Sequence, residues 1–101
     1  MSTLTLSSVL DDLRTVEQGL RKFEQRYWLS SDIFYELYTQ GMLDDGVNAE
    51  DFAEWAGHYR LKQKREATLL QFSRKRVEDL RQQAHDDLIH LLPQDPVLEG
   101  A

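Results

Sequence analysis

Residues 6–27 read LSSVLDDLRTVEQGLRKFEQRY, and this stretch decides the fold. Leu6, Leu13, Leu20 and Tyr27 recur every seven residues, and Val9, Val16 and Phe23 follow the first three of them by three positions. This is an unbroken heptad seam, which in a helix gathers its apolar side chains on one face. Burying one such Leu or Phe is worth ~1.5–3 kcal/mol, so the seam requires a second helix to lie against. The spacing predicts a first helix over about 7–26, capped by Ser7 or Ser8, with Asp11 and Asp12 early in the helix, where its dipole favours acids.

Downstream, Ser30 or Ser31 can cap a short helix over about 31–40, with Asp32 in its first turn and Gly41 as its stop. Ile33, Phe34, Leu37 and Tyr38 sit on it at helical spacing. Asp44, Asp45, Gly46 and Asn48 are turn formers. Asn48 then reads as the cap of a third helix, with Glu50 and Asp51 in its first turn. Between Ala49 and Pro93 the only Gly or Pro is Gly57, which costs ~1 kcal/mol relative to Ala. The expectation is therefore a helix over about 49–92, continuous through the basic stretch 60–66. The fold class is all-α: a helical hairpin or three-helix unit with a long C-terminal helix, spanning residues 1–92 as one domain, followed by a disordered tail over 93–101.

Composition narrows the function. The chain of 101 residues has no Cys, so no disulfide and no thiolate chemistry. A net charge of −6 disfavours nucleic acid as a partner of the whole chain, since phosphate binding needs clustered Lys and Arg. Met1 to Leu10 lack the basic start and apolar run of a signal peptide, and no apolar stretch nears the ~20 residues of a membrane span, so the expected location is the cytoplasm. Phosphate-loop, dinucleotide and hydrolase motifs are missing, and the acid pairs Asp11/Asp12, Asp44/Asp45 and Asp86/Asp87 sit in capping, loop and exposed contexts. No enzyme activity and no cofactor are expected. His58, His85 and His90 could ligate a metal, with Asp86 and His90 four apart, but such a set is thin for a stable site and none is expected.

Two features stand out from this background. Tyr27, Phe34, Phe52, Trp55 and Tyr59 form a dense aromatic group, which reads as the core where three helices meet. The basic residues Arg60, Lys62, Lys64, Arg65, Arg74, Lys75, Arg76 and Arg81 read as a solvated face; Lys62, Lys64, Arg65, Arg74, Lys75 and Arg76 are the candidates for contact with an acidic partner or nucleic acid.

Length then points outward. At 1.5 Å per residue the first helix spans ~30 Å and a helix over 49–92 spans ~65 Å. The first helix covers about half of the third, leaving the distal apolar stripe Leu69, Leu70, Phe72, Val77, Leu80, Ala84, Leu88 and Leu91 as the expected partner or dimer interface. A two-fold copy of the chain is the simplest cover, giving a homodimer.

Between positions 20 and 59 the chain resembles a group of small helical bacterial proteins, antitoxins of type II toxin–antitoxin pairs. The resemblance is carried by Glu24, Arg26 and Tyr27, then Ser30, Ser31, Asp32, Phe34 and Tyr35, a loop with Gly41, Asp44 and Asp45, and a helix opening with Asp51, Phe52, Glu54, Trp55, Ala56 and Tyr59. It implies a protein that neutralises a co-produced toxin, often a nuclease, by direct binding. A self-assembling scaffold or adaptor is the alternative, and a DNA-binding autoregulator using the basic residues is a further one.

Overall fold

In the computed structural model the described residues are 4–44, 46–84 and 87–93, and they form three helices: α1 (Leu6–Tyr27), α2 (Ser31–Thr39) and α3 (Ala49–Gln82). There is no strand among them. The fold is an α1–α3 antiparallel hairpin, with α2 in the connection and packed on the end where α1 finishes and α3 begins.

The α1 seam does what its spacing requires. Val9, Leu13, Val16, Leu20 and Phe23 are all buried. They divide into two clusters. At the α2 end, Leu20 and Phe23 meet Phe34, Phe52, Trp55 and Ala56. At the other end, Val9, Leu13 and Val16 meet Leu61, Leu69 and Phe72 of α3. Between the clusters, a Cβ at Gly19 would lie 3.0 Å from the His58 ring, so the glycine admits the imidazole.

The caps depart from expectation in detail. Thr5, not Ser7 or Ser8, is the N-cap of α1: the Ser8 amide donates to Thr5 Oγ1 at 3.1 Å while the Thr5 amide donates to Ser8 Oγ at 3.0 Å. Ser8 plays the part usually taken by a Glu in a reciprocal capping box. Gly41 ends α2 as anticipated, with φ +69. Its amide donates to the Tyr38 carbonyl and that of Met42 to the Leu37 carbonyl, the paired closure that a left-handed residue makes possible.

The end of α1 carries a less common feature. Trp28 closes the helix at φ 57, a left-handed conformation that costs an L residue about 1–2 kcal/mol. Its side chain is 92% exposed, so little packing compensates. Trp28→Gly should therefore raise stability by about 1 kcal/mol, seen as a higher midpoint in thermal unfolding followed by circular dichroism. A lower midpoint would show that the indole packs on the fold.

Helix α3 is continuous through the basic stretch but stops at Gln82, ten residues short of the expected end at 92. Gln83 and Ala84 donate to carbonyls three residues back, Leu80 and Arg81, which tightens the final turn. Asp87 then takes φ 59. The acids Asp86 and Asp87 give a physical reason: negative charge at a helix C-terminus opposes the helix dipole, and Asp tolerates the left-handed conformation. Leu88 and Leu91 thus do not lie on α3. They belong to a non-helical segment, 87–93, that returns along the helix, with Arg76 Nη2 donating to the Leu92 carbonyl at 2.8 Å. Of the expected tail over 93–101, residues 94–101 lie outside the described residues, as do His85 and Asp86.

Candidate partner-binding surface

The aromatic group is a closed core. Trp55 stacks on Phe34 with ring centroids 3.8 Å apart and planes 3° from parallel, and Phe23 and Tyr27 stack on it at 5.6 Å. Trp55, Phe23 and Phe34 are wholly buried. Phe52 completes the packing and Tyr59 borders it. These rings spend their faces on one another rather than on a ligand.

Polar side chains lock this junction. Ser31, at the start of α2, is the one buried polar residue among the described residues. Its hydroxyl accepts a 2.9 Å hydrogen bond from Trp55 Nε1 and donates to Glu24 Oε2 at 2.7 Å; the Ser31 amide donates to the same carboxylate oxygen at 3.0 Å. Arg21 holds the other carboxylate oxygen at 2.7 Å. Burial pushes the Glu24 carboxyl up, but the Ser31 and Arg21 hydrogen bonds outweigh it and set the group below the ordinary carboxylate range. Tyr27 Oη donates to Asp51 and Tyr59 Oη to Asp32, each at 2.6 Å. The hydrogen bond to Asp32, aided by burial, pushes the Tyr59 phenol up to about 12.

Glu24, Tyr27, Ser31, Asp32, Asp51, Trp55 and Tyr59 are among the residues that carry the resemblance drawn above. In this chain they are occupied in joining α1, α2 and α3. Ser31 is 3% exposed, its hydroxyl held between Trp55 Nε1 and the Glu24 carboxylate.

The basic residues do not make one face. Arg65 donates to Asp12 at 2.7 Å, Arg60 donates to the Tyr35 hydroxyl at 3.1 Å, and Lys62 sits 6.0 Å over the Tyr59 ring. Arg76 is tied to Leu92. These contacts hold the fold together; Lys64, Arg74 and Lys75 are exposed. Among the described residues no group of three His, Asp or Glu side chains could hold a metal, and no helix is long and apolar enough to cross a membrane.

The distal stripe of α3 divides by direction. Pairings along the hairpin — Tyr27 with Phe52, Phe23 with Trp55, Gly19 with His58, Asp12 with Arg65 — run antiparallel in a register that drifts by no more than two residues. That register sets Leu6, where α1 begins, opposite Phe72. Leu69 and Phe72 consequently turn inward onto Val9, Leu13 and Val16, a correction to their expected place on an interface. Leu80 borders a groove shared with Leu6, Phe72, Leu91 and Leu92. Ala84 is half-buried just past the helix end.

Residues 73–82 therefore extend about 15 Å beyond α1. On the outer face of α3 an open groove remains, floored by Leu70 and Val77, 50% and 37% exposed, and flanked by Arg74, Arg81 and Glu78. The returning segment adds Leu88, Leu91 and Leu92, at 61%, 72% and 69% exposed. Of the expected interface, then, Leu70, Val77, Leu88 and Leu91 face outward, and Leu92 joins them. Trp28, exposed at the opposite end, is an apolar site that periodicity did not single out; its signal is a bulky residue where a helix must turn.

No protein-family model matches the chain, and no curated protein or solved structure is significantly similar to it.

Proposed function

We propose that the chain is a non-catalytic protein-binding module, antitoxin-like, which neutralises a partner such as a nuclease toxin by direct binding in the cytoplasm. One observation supports this reading: α3 outruns α1 and exposes apolar side chains at Leu70 and Val77 on a face that none of the described residues covers. Solvated surface helices keep such faces polar, and an exposed apolar stripe with charged borders suits a helix that docks on another protein. The acidic head of the molecule, with Asp32, Glu36, Glu50 and Glu54 exposed, suits a basic partner such as an RNA-cutting protein.

The test is co-expression of the tagged chain with the small basic protein encoded beside it. The expected result is a stoichiometric complex that survives gel filtration, together with restored growth of cells in which the neighbour alone is toxic. A neighbour that neither binds nor arrests growth would overturn the proposal.

A further inference from the structure

The outer groove lies on a face of α3 that already receives a helix at the other end of the molecule. There α2 packs on α3: Phe34 stacks on Trp55 and meets Phe52, and Tyr35 meets Tyr59. Two polar contacts fix it, from Tyr59 Oη to Asp32 at 2.6 Å and from Arg60 Nε to Tyr35 Oη at 3.1 Å. A helix regains its facing after about 18 residues, or five turns. Leu70, Ser73, Arg74, Val77 and Glu78 stand 18 residues beyond Phe52, Trp55, Ala56, Tyr59 and Arg60. These five line the outer groove, which is therefore the distal continuation of the surface on which α2 sits.

The rim of the groove carries unspent positive charge. Arg14, Arg21, Arg26 and Arg65 each hold a carboxylate. Arg74 and Arg81 do not: Glu78 lies four and three residues from them, at the spacing of helical ion pairs, yet neither arginine pairs with it or with another described residue. Residues 60–82 hold eight Lys and Arg against three Asp and Glu, so the surrounding field has the same sign.

We infer that the outer groove takes an acidic amphipathic helix of a partner protein, laid on α3 as α2 is, with apolar side chains on Leu70 and Val77 and carboxylates on Arg74 and Arg81. The inference rests on the reading of this chain as a protein-binding module and names the element that its α3 face receives. Shape and charge both select that occupant. Leu70 and Val77 are two turns apart and half exposed, a floor into which the ridge of a crossing helix fits. Arginine binds carboxylates through two parallel hydrogen bonds and is weakly hydrated, so two free guanidiniums beside an apolar floor favour acids. A basic helix brings like charge to both. A nucleic-acid strand finds an aliphatic floor with no ring to stack on.

Fluorescence anisotropy on the full chain tests this with two labelled synthetic peptides of ~18 residues, long enough to form a helix. Both carry Leu at i, i+3, i+4 and i+7; one is flanked by Glu, the other by Lys. The Glu peptide should bind at least about tenfold more tightly than its Lys twin. Arg74→Glu with Arg81→Glu should invert that preference, and Leu70→Gln with Val77→Gln should abolish binding of the Glu peptide. All four positions are exposed, so the unfolding midpoint should hold. Lys22→Glu with Lys64→Glu makes the same change of net charge away from the groove and should leave the preference intact. A Glu peptide that fails to bind, a preference that survives the arginine reversal, or one lost equally in the lysine control would each overturn the inference. So would competition by single-stranded DNA for the same residues, or a wild-type dimer that the arginine reversal dissociates, which would give the groove to another occupant. A chain that refuses the peptide yet binds its neighbour's product would overturn this inference alone; failure of both would remove the protein-binding reading as well.

Discussion

Trp55→Ala is expected to abolish the fold at ordinary temperatures. Trp55 is wholly buried, stacked on three rings, and donates its indole N–H to Ser31. Truncating a buried aromatic costs about 3–5 kcal/mol, against a total of about 5–15 kcal/mol for ordinary domains. The loss here falls toward the upper end, because the indole of α3 packs against both α1, at Phe23 and Tyr27, and α2, at Phe34. Trp55→Phe should do less harm. It keeps most of the packing and withdraws one hydrogen bond, a loss of about 1–2 kcal/mol. Urea unfolding followed by circular dichroism distinguishes the two. An Ala variant within 1 kcal/mol of wild type, on the order of the cost of an ordinary surface change, would mean that Trp55 is not the centre of the core.

Replacing Glu24 has the next largest effect, and it depends on pH. Its carboxylate accepts from the Ser31 amide and hydroxyl and from Arg21, so Glu24→Ala leaves an amide in the first turn of α2 without that acceptor. The expected loss is about 2–3 kcal/mol near neutrality, as for hydrogen bonds to a charged group. The sign of the pH effect follows from the lowered folded-state pKa. Its stabilisation is complete above the unfolded-state value, near 4.5, and is lost as pH falls through the lower folded-state value. Wild type should therefore weaken on acidification below about 4.5, and Glu24→Gln should remove that part of the slope. Parallel acid-unfolding curves for wild type and Glu24→Gln would contradict the assignment.

The helices were legible because their causes are local. The α1 seam is a periodicity, and its five buried members are five of the seven residues that the heptad marks. Gly41 marks an end because it takes a left-handed conformation that most residues resist, whereas Asn48 precedes α3 without a side-chain cap hydrogen bond. What stayed illegible is set by tertiary register. Leu69 and Leu70 are neighbours in one apolar stripe, yet one faces α1 and the other solvent, and that division depends on where α1 begins opposite α3. The bond of Ser31 to Glu24 and Trp55 leaves no periodic trace, since a buried polar residue is revealed only by its partners. The end of α3 was missed for a different reason: no Gly or Pro enforces it, and the stop falls close to two acids at the unfavourable end of the helix dipole.

A chain that exposes part of its longest helix should also show it in motion. Opening free energy follows local packing, so Leu20 to Phe23 and Phe52 to Ala56 should open only with the whole molecule, while 75–82 should fray independently.

Amide hydrogen exchange, resolved by residue and measured on the dilute chain and again at high concentration or with its bound partner, reads the central proposition directly. Uncovered helix predicts fast exchange over 75–82 in the dilute chain and marked slowing once another polypeptide is present, with the aromatic end unchanged. Slow exchange over 75–82 in the dilute monomer, equal to that around Trp55, would show that the chain already shelters this helix by itself.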